Sequence, residues 1–264
     1  MAPTLPGARL EAERMPGHWL LARLGKRVLR PGGVELTHRL LDGLDVGATD
    51  DVVEVAPGLG ATTRLLLDRG PASYVGVDRD PDAAGRIEEL FAGPHRRVVR
   101  GSAADTGLPA ASASVVMGEA YLTMQPRSQK EKIVAELARV LRTGGRFGLH
   151  EVAVVPDDAD AETHEAISRD LTESIKVHVS PLTLGGWTAL LEDAGFAVTS
   201  THVAPLHLLE PRRLVADEGV AGAARFAFNV ARDGEARPRV LAMRSSMRRH
   251  SAHLAACAVL AERR

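Results

Sequence analysis

One cysteine, Cys257, occurs in the 264 residues, which excludes an internal disulfide, a thiolate zinc cluster and a CxxC redox pair within one chain. A reducing, cytoplasmic setting is the expectation. Aromatics are scarce too: two Trp, two Tyr and five Phe make up 3% of the chain, too few for the stacking platforms of single-strand binders. Neither sign of charge prevails, because Lys+Arg 33 against Asp+Glu 34 leaves a formal net charge of -1. No overall field then draws the chain to nucleic acid or to an anionic membrane, and neither is expected as a partner. No window approaches the roughly 18 to 20 apolar residues of a membrane span. The segment Met1 to Gly17 lacks the apolar stretch of a signal peptide. No cluster of metal-ligand residues appears, so no metal is expected.

What is present is the balance of a globular chain, 45% hydrophobic and 25% charged. The length suits one large domain or two small ones. After a loose leader, His18 to Leu29 and Val34 to Leu44 carry apolar residues at helical spacing, with Pro31-Gly32-Gly33 as a breaker between them. From Asp51 short apolar runs alternate with amphipathic stretches, the pattern of βαβ units. The predicted strands are Asp51 to Ala56, Ser73 to Asp78, Arg97 to Arg100, Ala113 to Gly118 and Gly145 to Val152. Between them lie helices over Ala61 to Arg69, Pro81 to Phe91 and Ser128 to Leu141, the second with Asp80 as N-cap and Pro81 at its first position.

Beyond Val152 the rhythm changes. Asp157 to Lys176 reads as an inserted helix, Thr183 to Ala194 as a further helix closed by Gly195, and Phe196 to Ala204 as a strand. Pro205 to His250 is a long, Arg-rich, helical second insertion before a last strand at Ala252 to Leu260. The expected division is a leader with cap helices over 1–46 and a main domain over 47–264, with insertions near 153–182 and 205–250.

The most informative stretch is Val52 to Thr63, an apolar strand running through Pro57-Gly58-Leu59-Gly60 into a helix start. In that geometry backbone approaches a ligand and helix N–H groups face it. Alone, such a turn says little. Eighteen residues past Gly60 the next strand ends in Asp78, where ribose hydroxyls are held in doubly wound sheets. An adenosine-containing ligand fits the pair. A dinucleotide fingerprint would want glycine where Thr63 stands, and pyrophosphate gives no role to Glu54.

Glu54-x-Ala56-x-Gly58-x-Gly60 resembles the first motif, ExGxGxG, of the class I S-adenosylmethionine-dependent methyltransferases, with alanine in place of the first glycine. The resemblance continues. Gly101-Ser102-Ala103-Ala104 with Gly107-Leu108-Pro109 looks like the family's GDAxxLPF segment, Ser102 standing where an acid meets the adenine amino group unless Asp105 supplies that contact. Gly118-Glu119-Ala120 matches the segment under the methionine part, and Arg139 to Glu151 is similar to RVLRPGGxxxxxE. Together these segments run in the family order and spacing from about Val52 to Val152.

The resemblance implies a Rossmann-like, doubly wound α/β fold, a mostly parallel seven-stranded sheet of order 3-2-1-4-5-7-6 under a helical cap. It implies S-adenosylmethionine as cofactor, contacted by Glu54, Ala56, Gly58, Gly60, Thr62, Asp78, Arg79, Gly101, Ser102, Ala103, Glu119 and Ala120. Arg30 is a further candidate for the cofactor carboxylate. His150 and Glu151, ending the fifth strand, are the acid/base candidates; adjacent strand residues point opposite ways, so one of the two should line the cleft. His18, Trp19, Tyr121 and His178 are the substrate-pocket candidates, and Trp19, Tyr121 and Trp187 the rings expected to border it. The arginines at 237, 239, 244, 248 and 249 read as a solvated helix face or as a polyanion site.

Absences narrow the acceptor. No [N/D]PP[Y/F] signature follows the fourth strand, no cysteine lies near it, and no magnesium site is evident. A small-molecule O-, N-, S- or C-methyltransferase remains, similar to the ubiquinone/menaquinone-biosynthesis group. The alternatives are an NAD(P)-dependent oxidoreductase and a catalytically silent cofactor-binding regulator.

Overall fold

Strands buried on both faces must be apolar almost throughout, and the sheet is built around two such runs, β1 (Asp51–Val55) and β4 (Ala113–Glu119). The computed structural model describes residues 5–7 and 10–264. Its other strands are β2 (Ser73–Asp78), β3 (Arg96–Arg100), β5 (Leu141–Val154), β6 (Leu182–Thr183), β7 (Phe196–Pro205) and β8 (Leu254–Arg263). The order is β3-β2-β1-β4-β5-β8-β7, with the two-residue β6 beside the end of β5. Only β8 runs antiparallel, against both β5 and β7. The order expected from the resemblance is the same path once β6 is counted as a strand in its own right.

The register sets up the site. Val55 pairs with Val77 and with Gly118, and Gly118 pairs with Leu149. The next residues, Ala56, Asp78, Glu119 and His150, therefore lie in one row along the carboxyl edge. Chain order reverses between β1 and β4, which makes this the switch point where open α/β sheets bind ligands. Ala56 and Ala120 both turn away there in the left-handed conformation, at φ 53 and 54. A small side chain keeps that strain low and leaves room above the edge.

Helices cover both faces. On one, α5 (Arg127–Val140) and α7 (Leu184–Asp193) pack Ile133, Leu137, Trp187 and Leu191 against Val55, Val116 and Phe147. On the other lie α2 (Gly33–Leu44), α3 (Ala61–Leu67) and α4 (Pro81–Leu90). Leu36, Leu40, Leu41 and Leu44 of α2 are all buried, at a spacing that makes one stripe. Each contributes about 1.5–3 kcal/mol through burial. A side chain at Gly148 would meet Leu44 and Leu40 of α2, so the glycine lets that helix lie close on β5. Asp80 caps α4 through the N–H groups of Asp82 and Ala83, and Pro81 follows it.

The cap departs from the predicted spans. α1 covers only Gly17–Arg23 instead of His18 to Leu29. Gly25 turns the chain at φ 103, and the N–H groups of Arg27 and Val28 donate to Glu218 instead of continuing a helix. The second insertion is two helices, α8 (Pro211–Arg232), kinked at Gly219, and α9 (Ala236–Arg249), while α6 (Ala161–Ile175) forms the first. The leader is stitched to both. Lys26, fully buried, reaches Asp217 at 3.4 Å and Glu218 at 3.8 Å. Arg239 of α9 donates to the carbonyls of Ala12 and Met15. Arg244 and Arg248 pair with Glu210 and Arg249 with Asp170. Four of the five clustered arginines thus bind protein groups, which explains their spacing without a polyanion.

Candidate active site

A cavity of about 740 Å³ opens over the carboxyl edge of β1, β2, β4 and β5 and is roofed by α1, α6 and α9. That is within the ~300–1,000 Å³ of ligand sites. Every cofactor-side residue named from sequence lines it except Gly60, which sits at φ 79 with α4 behind it, where a Cβ would meet Phe91 and Ile87. Gly60 therefore shapes the turn rather than facing the ligand. Gly58, at φ 55, does face the cavity.

Three carboxylates stand along this edge in different states. Asp78 accepts the N–H of Gly58 at 3.3 Å and that of Asp80 at 3.0 Å. Burial nevertheless raises its pKa, so a partner for its free lone pairs is favoured. Glu54 accepts the hydroxyls of Thr63 and Tyr74 on one oxygen, both at 2.7 Å. Burial pushes its pKa up to about 7, against those two hydrogen bonds. Thr63, at the position a dinucleotide fingerprint reserves for glycine, is thereby occupied under the turn.

Glu119 is the opposite case. Burial would raise its pKa, yet Arg30, His150 and Thr37 hold it down at about 2. One of its oxygens accepts from Thr37 Oγ1 and meets His150 Nδ1, each at 2.6 Å. The other accepts from Thr62 and from Arg30, the latter at 3.3 Å. Arg30 also donates to Thr62, and its Nε is buried with no partner among the described residues.

Neither acid/base candidate is free. His150 is fully buried and does not line the cavity; its Nε2 meets the Pro31 carbonyl at 2.6 Å. Both ring nitrogens are thus engaged with protein oxygens. His150 therefore pins the leader to β5 instead of meeting a substrate. Glu151 does line the cavity, as one of the pair was expected to. However, one oxygen accepts the N–H groups of Tyr121 and Leu122, and the other accepts the N–H and hydroxyl of Thr123. Four donors fill a carboxylate's capacity, so Glu151 clamps the loop after β4.

The substrate-side candidates separate. Trp19 lies 3.8 Å from where a Cβ on Gly58 would be, and His18 feels Asp80 and Arg79. Both therefore stand beside the Gly58 turn and the residues that follow β2. Burial lowers the pKa of His18 to about 4, leaving it neutral. Tyr121 lines the cavity but its ring packs against Gly118 and Val55, and its hydroxyl is buried without a partner among the described residues. His178 is exposed at the rim. Trp187, expected to border the pocket, is buried beneath the sheet with Nε1 on the Val152 carbonyl at 2.9 Å. Ser102 lines the cavity and Asp105 does not, so the alternative acid contact is not built.

Sequence reasoning missed Thr37, Gln125, Gln129, Met243 and Met247. Only Gln125 and Gln129 carried a signal, two neutral polar residues just after the fourth strand. Among the described residues no group of three metal-ligand side chains is assembled and no helix is long and apolar enough to cross a membrane.

A family described as a methyltransferase domain matches residues 52–145. An uncharacterized protein of Haemophilus influenzae is 34% identical over 217 residues, covering 81% of this chain and 84% of its own. The chain belongs to the class I S-adenosylmethionine-dependent methyltransferases. Its fold is shared with a protein assigned as a sarcosine dimethylglycine methyltransferase from Galdieria sulphuraria (18% identity, TM-score 0.67, 87% and 85% of the two chains). A geranyl diphosphate methyltransferase solved with GPP and sinefungin is similar at 17% identity and TM-score 0.62, over 88% and 78%. This methyltransferase uses S-adenosylmethionine as its cofactor, and neither the oxidoreductase nor the silent-regulator reading is retained. The residues present fit the group: Asp78 is a buried carboxylate with room on both oxygens, and Arg30 keeps a buried donor without a partner.

Proposed function

We propose that this methyltransferase acts on a small molecule held in the part of the cavity remote from Asp78. The observation that supports the reading is that residues of α1, α6 and α9 border that part, giving it the concave, mainly apolar lining of a small-ligand site. When bound, S-adenosylmethionine supplies an electrophilic methyl group on a sulfonium. Asp78 accepts the ribose hydroxyls, Arg30 receives the carboxylate, and Glu54 faces the ammonium. Ala56, Gly58 and Ala120 leave space along the edge, while Arg79, Gly101, Ser102 and Ala103 border the base. Glu119 acts through Arg30, and His150 and Glu151 hold the surrounding loops. Alignment and exclusion of water then govern an in-line displacement, with no dedicated base among these groups.

Calorimetry tests the reading. S-adenosylmethionine and S-adenosylhomocysteine should bind in the micromolar class and NADH should not; NADH binding in their place would overturn it. Turnover of small RNA helices would remove the small-molecule part alone.

A further inference from the structure

The acceptor end of the cavity differs in chemistry from the rest. Leu171 and Ile175 of α6 and Met243 and Met247 of α9, each pair four residues apart, line it with Val179 and Leu206. The packing above is close. A Cβ on Gly17 of α1 would stand 2.7 Å from Met243 Sδ and 3.1 Å from Ile175 Cγ2, so the missing side chain lets three helices close over the compartment.

Among the described residues no free ion faces this end. Glu151 is saturated by four donors, and the exposed Arg27 and His178 stand at the rim. Lys130 is turned away: its ammonium donates to the carbonyls of Gln125 at 2.5 Å and Ser180 at 2.7 Å. An ionised acceptor would thus lose its hydration with nothing to replace it.

Two neutral amides break the apolar lining. Gln129 makes no side-chain hydrogen bond among the described residues, and Gln125 makes one long contact, to the Tyr121 carbonyl at 3.4 Å. Both keep free donor and acceptor capacity. The grip of Lys130 on the Gln125 carbonyl fixes the backbone that carries one of them.

We propose that the acceptor is an uncharged, mainly hydrocarbon molecule carrying a hydroxyl or carbonyl that Gln125 and Gln129 recognise. The inference rests on the methyl-transfer reading above. Gln125 and Gln129 are half-buried, so an analogue that lacks the polar group forfeits their hydrogen bonds to a ligand. The apolar walls reject the ionised analogue for the opposite reason.

Ligand-observed NMR on the full chain, with and without S-adenosylhomocysteine, tests this. The probes are size-matched sets sharing one skeleton: the parent hydrocarbon, its alcohol and ketone, its carboxylate and phosphate, and its amine. The alcohol or ketone should bind at least about tenfold more tightly than the ionised members. Gln125→Leu and Gln129→Leu should remove that preference over the parent hydrocarbon while leaving S-adenosylhomocysteine affinity unchanged, which also shows that the variants fold. Ionised members binding as well as the alcohol, no binding by any uncharged member, or a preference untouched in both variants would overturn the proposal. Failure of the wild-type chain to bind S-adenosylhomocysteine would instead strike the methyl-transfer reading, and the screen without it still decides the chemistry of this end.

Discussion

The two ends of one cavity are held together by different physics. Along the carboxyl edge of the sheet Arg30, Thr37, Thr62, Glu119 and His150 form a closed network of charges and hydroxyls. At the acceptor end the walls are Leu, Ile, Val and Met on helices packed through Gly17. Hydrogen bonds fix a geometry to a few tenths of an ångström and tolerate few substitutions. Apolar walls tolerate volume-conserving exchange.

The largest effect should come from breaking the network. Glu119→Ala leaves Arg30 buried without its counter-charge and His150 Nδ1 without its hydrogen-bond partner, and stability should fall by about 3–5 kcal/mol in urea unfolding; a loss near zero would mean the network is not one unit. In the wild type the contribution of Glu119 is fully present above pH 4.5, its ordinary value, and drains away as pH falls toward 2.

Glu54 should behave with the opposite sign. Its folded-state pKa of about 7 lies above the ordinary 4.5, so the folded chain holds the proton more tightly and stability declines as pH rises from 4.5 to 7. Glu54→Gln should remove that decline, worth about 3 kcal/mol over the window. Thermal melts at pH 5 and pH 8 measure it, and an unaltered slope would place the titration elsewhere.

Asp78→Ala should weaken cofactor affinity by about 1–3 kcal/mol through lost charged hydrogen bonds, read by calorimetry, with the apolar end unaffected. Ile175→Val, in the apolar wall, should cost only about 0.5–1.5 kcal/mol of stability and leave S-adenosylhomocysteine affinity unchanged. A cofactor effect there would show that the two ends are coupled.

How far each end could be read from sequence follows the same division. Glu54, Gly58 and Asp78 belong to strand-turn-helix segments whose spacing is local, so their placement was legible. Glu119 was named, but its partners Thr37 and Arg30 stand 82 and 89 positions away, and no periodicity reports a contact across that distance. His150 and Glu151 were known to point to opposite faces. What could not be read was that Pro31 would cover one and three N–H groups of the β4–α5 loop would fill the other. The resemblance implies that the leader covers the acceptor and so points Trp19 there; no local pattern reports that its indole lies beside the Gly58 turn.

The leader described above touches both ends of the cavity within three residues: Trp19 borders the Gly58 turn and Gly17 seats the helices over the acceptor end. Its anchors are Lys26, Arg27 and Val28 on α8 and Arg239 on α9. On the proposed reading one short segment thus borders both cofactor and acceptor, so a substitution that displaces it reaches both binding events at once.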